Sequence, residues 1–335
     1  MASSSSTSAT ERKLRVGVIG AGIMGRNHAR VLSELPGVEL VGVADPDAGR
    51  AGQAAGQASS AEAFADHKEL IARKVDAVVV AAPTPLHHQI SLELIDAGVA
   101  LLVEKPIATT VEQGREIVTA AARNGVTLVV GHVERFNPAV QAIKQALAGE
   151  DILSIGITRV GPFPPRMSDV GVVIDLAVHD IDLIRWFTES EIAEVQPQIS
   201  SVVAEREDIA LLQFRTASGV LAHINTNWLT PFKARNVTVA TRNKYIMGDL
   251  LTRQVTECFG FKPDGSYSMR HLPVGHDEPL RAELISFLTA VRESSAPAVT
   301  GDEGVASLEI AIRCLEHPAK PAASAERKGP RRVVG

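Results

Sequence analysis

The sequence contains little cysteine and no long apolar run. Its two cysteines, Cys258 and Cys314, cannot build a disulfide framework, and neither lies in a CxxC motif or a Cys/His cluster, so a reducing compartment suits the chain. The longest apolar runs, such as residues 77–83, fall far short of the ~18 residues that cross a membrane. Residues 1–13 lack the apolar core of a secretory signal. These absences predict a cytoplasmic protein.

Positive charge is not in excess either. The chain carries 34 lysine and arginine residues against 39 aspartate and glutamate residues, which gives a net charge of −5 and a pI of about 6.1. Without a basic stripe, it is a poor binder of nucleic acid or of an anionic membrane. A local basic pocket for a phosphorylated small molecule stays open. Its 335 residues, 45% of them hydrophobic, exclude a disordered protein and predict two domains.

The first half of the chain alternates short apolar strands with helical segments. Strands are predicted at residues 14–19, 39–44, 77–82, 100–103 and 126–130, and helices near residues 23–34, 86–97 and 111–124. Fully apolar strands that alternate with helices are typical of a parallel sheet covered on both faces. We therefore predict a doubly wound α/β domain over residues 14–133.

After residue 131 the pattern changes. Helices are predicted at residues 138–147, 172–187, 279–293 and 304–316, and strands at residues 192–203, 209–215, 220–227 and 237–241. Consecutive strands without intervening helices indicate an antiparallel sheet, which we place in a second domain over residues 134–317. Residues 1–13 are predicted to be a flexible tail. Residues 318–335 are predicted to be a flexible basic tail, as a solvated segment rather than a binding arm.

A glycine-rich turn separates the first predicted strand from the helix that follows it. Gly20, Gly22 and Gly25 form a GxGxxG motif, with Ile23 and Met24 before the last glycine. In this position the first glycine permits a tight turn, the second lets the backbone approach a pyrophosphate, and the third lets helix and strand pack closely. The motif predicts a dinucleotide site, and an ordinary glycine-rich turn is the alternative.

An acidic residue strengthens that prediction. Asp45 ends the second predicted strand, 20 residues after Gly25, which is the spacing of a carboxylate that accepts hydrogen bonds from the adenosine ribose. Its charge would repel a 2′-phosphate and so favours NAD over NADP, whereas Arg50 nearby softens that preference. Asp45 and Pro46 also form an ordinary turn signal, which is compatible with this role.

Two further motifs follow the third and fourth of these apolar strands. One contains Pro83, Thr84 and His87, and the other contains Glu104 and Lys105. Ligands bind at the carboxyl ends of strands in open α/β sheets, so both motifs lie where a cofactor would. Taken singly, the lysine would be a surface residue and the histidine a residue at the start of a helix.

A third motif lies in a predicted helix. Asp175 and His179 are four positions apart and therefore share one helix face, so that the carboxylate and the imidazole point into the same cleft. A capping or salt-bridged pair is the alternative interpretation.

Together these motifs resemble the Gfo/Idh/MocA family of oxidoreductases over residues 14–316. The resemblance implies an N-terminal Rossmann domain and a C-terminal α/β domain with a large, mainly antiparallel sheet. It also implies sugar, cyclitol or related polyol substrates, and a homo-oligomer that pairs through the exposed face of that sheet. It places the catalytic residues at Lys105, Asp175 and His179. It places cofactor-binding residues at Gly20, Gly22, Ile23, Met24, Gly25, Asp45, Pro83, Thr84, His87, Glu104 and Lys105.

The chemistry of these groups suits oxidation of a secondary alcohol. A histidine with an ordinary pKa of ~6.5 can take the hydroxyl proton at neutral pH, which is the role implied for His179. Asp175 would orient the imidazole or hold the substrate. Lys105 would donate a hydrogen bond to the reacting oxygen and stabilise developing negative charge. The nicotinamide would supply the redox step.

Residues 131–138, 159–166 and 227–231 look like the branch that contains UDP-N-acetylglucosamine 3-dehydrogenases. The likeness implies a diphosphate neutralised by arginines and by Lys233, because an arginine fork suits phosphate. For each arginine taken alone, a surface salt bridge is the alternative. The substrate-binding residues predicted on this basis are Arg135, Asn137, Arg159, Arg166 and Trp228.

The leading interpretation is an NAD-dependent oxidoreductase that transfers hydride between C3 of a UDP-N-acetylhexosamine and the nicotinamide. The alternatives are a dehydrogenase or ketoreductase of another sugar or cyclitol, glycoside cleavage through a 3-keto sugar, and a non-catalytic NAD(H)-sensing regulator. No metal is predicted, because the histidines lack zinc-ligand spacing. The absence of a P-loop and of a GxSxG motif excludes the common ATPase and serine-hydrolase readings.

Overall fold

Six parallel strands form the first sheet of the computed structural model, which describes residues 12–58, 61–164 and 170–316. Their order across the sheet is β3-β2-β1-β4-β5-β6, with the topological switch between β1 and β4, where open α/β sheets bind ligands. The strands are β1 (Leu14–Ile19), β2 (Val38–Ala44), β3 (Glu62–Phe64), β4 (Ala77–Val80), β5 (Ala100–Glu104) and β6 (Leu128–Gly131). The predicted doubly wound sheet is confirmed.

Helices cover both faces of this sheet. They are α1 (Ile23–Glu34), α2 (Ala48–Ala55), α3 (His67–Ala72), α4 (His87–Asp96) and α5 (Val111–Asn124). Local signals set the ends of α5: the Thr110 hydroxyl accepts a hydrogen bond from the Gln113 amide, and Gly125 ends the helix at φ 64°. The strands read as continuous apolar runs because both of their faces are buried.

Eight strands form the second sheet, in the order β14-β13-β12-β11-β7-β10-β9-β8. They are β7 (Ile152–Pro162), β8 (Ile192–Ser200), β9 (Ile209–Thr216), β10 (Leu221–Asn227), β11 (Leu229–Thr241), β12 (Lys244–Asp249), β13 (Gln254–Phe259) and β14 (Ser268–His271). Only the β10–β7 pair is parallel, so the predicted, mainly antiparallel sheet is confirmed. Burial alternates along β9, which places one face on the core and the other in solvent.

The remaining helices are α6 (Pro138–Ala146), α7 (Val178–Thr188), α8 (Pro279–Glu293) and α9 (Gly301–Glu316). A π-helical turn over Val173–Ala177 leads directly into α7, so the helix predicted over residues 172–187 has two parts. Single π turns inside helices are frequent at functional sites. Within the part of the chain that the structure describes, no helix is long and apolar enough to cross a membrane.

The last two helices pack back onto the first sheet. Leu284 and Phe287 of α8 share a core with the strands on one face, and Leu308 of α9 shares a core with them on the other. The sequence placed both helices in the second domain, and the division at residues 133 and 134 stays a prediction. The basic tail and all but two residues of the N-terminal tail lie outside the described residues.

Strands β7 and β12 to β14 were not predicted. Strand β12 alternates between exposed and buried residues but is only six residues long, whereas the other three have no regular alternation. Strand β7 lies between two others, and all four residues of β14 are exposed. Short strands with an exposed edge carry no hydrophobic signal that could distinguish them from loops.

Candidate active site

The glycine turn between β1 and α1 has no room for side chains at two of its three glycines. A Cβ on Gly25 would lie 1.7 Å from the Gly20 carbonyl oxygen, and a Cβ on Gly20 would lie 2.4 Å from that of Ala81. Gly20 also has φ 92°, which favours glycine. At Gly22, a Cβ would meet nothing within 4 Å. The turn therefore packs tightly on its inner side and opens outward at the N-terminus of α1, where backbone amides attract phosphate.

Two more predicted residues lie at this N-terminus. Ile23 is 64% exposed, so its apolar side chain is available to cover a ligand, and Met24 packs against the core beneath the sheet. These features, together with Asp45 at the end of β2, fit a dinucleotide. We expect the glycine turn to hold its pyrophosphate.

Asp45 is buried and braces the glycine turn. Its carboxylate accepts hydrogen bonds from the Ala21 amide at 2.8 Å, the Asp47 amide at 2.9 Å and the Arg50 guanidinium at 3.0 Å. Burial raises the pKa of the carboxyl, but the three hydrogen bonds together lower it by more, so the pKa of Asp45 lies below its ordinary value. Asp45, Arg50 and Pro83 line a cleft of 360 Å³ beside the switch point. Thr84 opens a short 3-10 helix at its rim.

We expect Asp45→Ser to shift the cofactor preference toward NADP. The change removes a charge that repels a 2′-phosphate and frees the Arg50 fork to bind one. A hydrogen bond to a charged group is worth about 1.5–3 kcal/mol, so the ratio of kcat/KM for NAD to that for NADP should fall about 10- to 100-fold. Adding Arg50→Gln should cancel the gain for NADP. An unchanged ratio in the single variant would remove Asp45 from this role.

Lys105 and Asp175 meet across the cleft between the two sheets. The Lys105 ammonium donates to the Asp175 carbonyl oxygen at 2.8 Å and to its carboxylate at 3.2 Å. Lys105 follows directly after β5, and Asp175 lies in the π turn before α7, with His179 in the first turn of α7. The structure thus brings the three predicted catalytic residues together. Among the described residues the Asp175 carboxylate pairs with Lys105 and not with the imidazole.

His179 lies in a largely buried, cationic environment. Its Nδ1 is buried and has no hydrogen-bond partner in the described part of the chain, which leaves Nε2 available to a substrate. The His132 ring stands edge-on to it, with ring centroids 6.2 Å apart. Burial, and after it the charges of Lys105 and Arg159, lower the pKa of His179 well below its ordinary value. The imidazole is therefore neutral at pH 7 and can accept a proton.

Two residues predicted to bind the cofactor have internal partners. Glu104 pairs with the buried His28 at 2.7 Å, and both ring nitrogens of His87 face carbonyl oxygens, of Ala82 at 2.8 Å and Pro106 at 3.0 Å. Both side chains therefore have polar neighbours inside the protein, and their direct contact with the cofactor stays a prediction. They hold the loops after β4 and β5 in place.

A buried glutamate without a partner lies behind this region. Both carboxylate oxygens of Glu283, on α8, lack hydrogen-bond partners among the residues that the structure describes. Burial, and next the charge of Glu104, raise the pKa of Glu283 well above its ordinary value. For Glu104, burial raises the pKa, but the hydrogen bond from His28 helps to bring it below the ordinary value. The proton of this pair therefore belongs to Glu283.

Glu283→Gln should be more stable than the parent protein at high pH, and its advantage should grow as the pH rises. A glutamate whose pKa is raised by folding contributes full stability below its unfolded pKa of about 4.3, and that contribution is lost as pH rises toward the folded pKa. The glutamine side chain does not ionise, so the variant avoids this loss. Its Tm should exceed that of the parent by about 2–4 °C for each kcal/mol of stability that the parent loses. Thermal melts from pH 5 to pH 9 would measure it, with the exposed Glu293→Gln on the same helix as control. If Tm changed with pH in the same way for Glu283→Gln and the parent protein, the raised pKa of Glu283 would be contradicted.

Three predicted substrate-binding residues have internal contacts. Arg135 is 3% exposed, and its guanidinium makes two 2.7 Å hydrogen bonds with Asp182. Asn137 caps α6, because its side chain accepts a hydrogen bond from the Ala139 amide. Trp228 is 4% exposed and packs edge-on against a phenylalanine ring. Each of the three thus has a partner inside the protein, and their contact with a substrate stays a prediction.

Arg159 also has internal partners. It is 2% exposed, and all three nitrogens of its guanidinium donate to the carboxylates of Asp180 or Glu134, at 2.7 Å and 2.8 Å for the shortest contact with each. Its contact with a substrate phosphate stays a prediction. Arg166 lies outside the described residues.

Three site residues escaped prediction. His132 follows β6 and His28 lies on α1. The signals for His132 were its place at the carboxyl end of a strand and its membership of the motif over residues 131–138. Arg235 lies in β11 and binds Glu134 at 2.9 Å. No sequence pattern singled it out, because only the strand register places it on the inner face of the sheet.

A doubly wound domain with a glycine cradle, joined to an antiparallel sheet across a polar cleft, defines a dinucleotide-binding oxidoreductase. Residues 14–132 match the oxidoreductase family with an NAD-binding Rossmann fold, and residues 158–246 match the GFO/IDH/MocA C-terminal domain. The chain therefore belongs to the Gfo/Idh/MocA family, and its predicted family and cofactor, NAD, are confirmed.

Similar proteins differ in what their names say they oxidise. An inositol 2-dehydrogenase of Rubrobacter xylanophilus is 40% identical over 64% of this chain and 65% of that enzyme. Inositol 2-dehydrogenase 2 of Saccharopolyspora erythraea is 31% identical over 90% of this chain and 92% of that enzyme. UDP-N-acetylglucosamine 3-dehydrogenase GnnA of Acidithiobacillus ferrooxidans is 28% identical in structure comparison, with a TM-score of 0.84, over 90% and 96% of the two chains.

Proposed function

We propose that this chain is an NAD-dependent dehydrogenase that oxidises a secondary alcohol on a sugar ring, foremost C3 of a UDP-N-acetylhexosamine. The observation that carries the proposal is the placement of an ammonium, a carboxylate and a neutral imidazole in one cleft, at Lys105, Asp175 and His179. The likeness to GnnA over almost the whole of both chains supports the choice of sugar.

Each group has a distinct task in this proposal. Neutral His179 accepts the hydroxyl proton at Nε2. Lys105 donates a hydrogen bond to the reacting oxygen and stabilises the negative charge that develops there. Asp175 holds the ammonium in place through the 3.2 Å contact. Bound NAD supplies the hydride acceptor. Asp45 and the glycine turn from Gly20 to Gly25 are the residues that hold it.

A cyclitol is the second candidate substrate. Two relatives named as inositol 2-dehydrogenases support it, one of them over about nine-tenths of both chains. Two of the four cations that were expected to bind a diphosphate, Arg135 and Arg159, are moreover held in buried ion pairs. Both candidates use the same catalytic groups, because each presents a ring hydroxyl.

A substrate panel tests the proposal. The purified protein is mixed with NAD and, in turn, UDP-N-acetylglucosamine, free N-acetylglucosamine, myo-inositol and scyllo-inositol, and reduction of the nicotinamide is followed by absorbance. We expect the highest kcat/KM with the UDP-sugar. A higher kcat/KM with an inositol would instead make a cyclitol the substrate. Equal turnover of the free and UDP-linked sugar would overturn the nucleotide-sugar assignment.

We also propose that the chain forms a homo-oligomer through the outer face of the second sheet. Large apolar side chains are exposed there, among them Leu211, Leu221, Tyr245, Met247 and Met269. An exposed apolar patch of this kind is typical of an interaction surface.

A further inference from the structure

Arg235 occupies an unusual position at the inner face of the second sheet. It lies directly opposite Arg159 in the pairing of β11 with β7, on the side that also carries the buried Val237. Like charges directly opposite each other on neighbouring strands destabilise a sheet. Nearby carboxylates must therefore neutralise the positive charges of Arg159 and Arg235.

The compensation is unequal. Glu134 accepts hydrogen bonds from both arginines. Among the described residues, Asp180 accepts hydrogen bonds from Arg159 and not from Arg235, in three contacts of 2.7 to 3.0 Å. Arg235 bonds to Glu134 through Nη1 alone, so its Nε and Nη2 donors have no partner within residues 12–58, 61–164 and 170–316. Every nitrogen of Arg159 donates to a carboxylate, whereas Arg235 keeps two adjacent nitrogens without a partner in the described part of the chain.

A buried network links Arg235 to the candidate catalytic groups, because Glu134 binds both arginines and Arg159 binds Asp180, the residue after His179. The charge of Arg235 is among those that act on His179, and Asp175 is among the carboxylates that act on Arg235. The side chain of Arg235 is 35% exposed, against 3% for Arg159. The guanidinium is therefore open to a ligand at the edge of the site and held in one orientation by Glu134.

The strand is distorted beside Arg235. Leu229 is paired with Pro162 and Ala234 with Val160, so β11 advances five residues where β7 advances two. Bulges of this kind often lie next to active sites, where they redirect side chains. This bulge ends one residue before Arg235.

We propose that Arg235 binds the phosphate of a nucleotide-sugar substrate through its Nε and Nη2 donors. The proposal rests on the proposed function, and it assigns the phosphate to the partly exposed Arg235 rather than to the buried Arg135 and Arg159. Two adjacent donors of one guanidinium match two oxygens of one phosphate. In a hexose the phosphorylated C1 and the reacting C3 belong to the same ring, so the phosphate leaves the ring close to the catalytic groups.

Calorimetric titration of the NADH-loaded protein with UDP, and with uridine as the probe without phosphate, tests the assignment. UDP should bind more tightly than uridine. Arg235→Gln should weaken UDP binding about 10- to 100-fold, the loss expected for a charged pair of hydrogen bonds, and leave uridine binding unchanged. The affinity of Arg235→Lys for UDP should lie between those of the parent protein and Arg235→Gln, because lysine keeps the charge but lacks the two-pronged guanidinium. Arg242→Gln, at an exposed arginine paired with Asp151, is the matched control.

The possible outcomes separate the two proposals. If Arg235→Gln and Arg235→Lys both melt like the parent protein and both bind UDP with its affinity, the assignment of Arg235 is overturned, even where the parent turns over the UDP-sugar. If the parent binds UDP through Arg235 but does not turn over the sugar, the phosphate site stands and the proposed reaction fails. If the parent binds UDP no more tightly than uridine, the phosphate site is overturned.

Discussion

Lys105→Met is expected to lower kcat by about 10²–10³, the usual cost of removing one positioned electrostatic donor from a reacting oxygen. The Lys105 ammonium lies 3.2 Å from the Asp175 carboxylate and 2.8 Å from its carbonyl oxygen. Methionine keeps the apolar stem and removes only the charge and the donors. The glycine turn lies elsewhere in the cleft, so the affinity for NADH, measured by fluorescence titration, should stay within a few-fold of the parent value.

The control for this change is Lys262→Met, which alters an exposed lysine outside the cleft. It should leave both kcat and NADH affinity unchanged. If Lys105→Met lost NADH binding and kept its kcat at saturating cofactor, Lys105 would be a cofactor ligand rather than a group that acts on the substrate.

His179→Ala is expected to lower kcat by about 10²–10⁴, the range for loss of a general base. It should also change the pH profile. The base must be unprotonated, so activity falls as the pH drops through its pKa. Because burial and nearby cations lower the pKa of His179, this acidic limb should lie below the ordinary histidine range in the parent protein. The limb should be absent in the variant.

Stability and activity must be measured on the same preparation of His179→Ala. His276→Ala, which changes an exposed histidine outside both sheets, is the control and should alter neither. A His179→Ala protein that melts at a lower temperature but keeps full kcat and the acidic limb would show that the pair with Asp175 is scaffold. The base would then be sought elsewhere in the cleft, with His132 the nearest histidine ring.

The sequence predicted the bounds of several elements because their signals are local. Strand β1 and helices α5 and α8 have the predicted bounds. The first ends at the glycine turn, α5 at Gly125, and α8 begins with Pro279 in its first turn. Strands without a period, such as β14, depend on neighbours that are distant in the chain and were not predicted.

The grouping of Lys105, Asp175 and His179 was predictable because a motif marks each residue, whereas the partners of the arginines were not. Arginine is a phosphate ligand only if no carboxylate takes its donors first. The partners of Arg135 and Arg159, Asp182 and Asp180, lie 47 and 21 residues away in the sequence. The fold alone shows that these two arginines are buried against carboxylates, while the side chain of Arg235 is 35% exposed.

Transfer of a label from carbon to cofactor tests the central claim most directly. The ring sugar or cyclitol that the substrate panel selects is prepared with deuterium at the reacting carbon and incubated with the protein and NAD. Mass spectrometry of the reduced nicotinamide then locates the label. Direct hydride transfer predicts one deuterium in each NADH formed, at a rate that Lys105→Met and His179→Ala both depress. NADH without deuterium, or labelled NADH formed at the parent rate by both variants, would contradict the account.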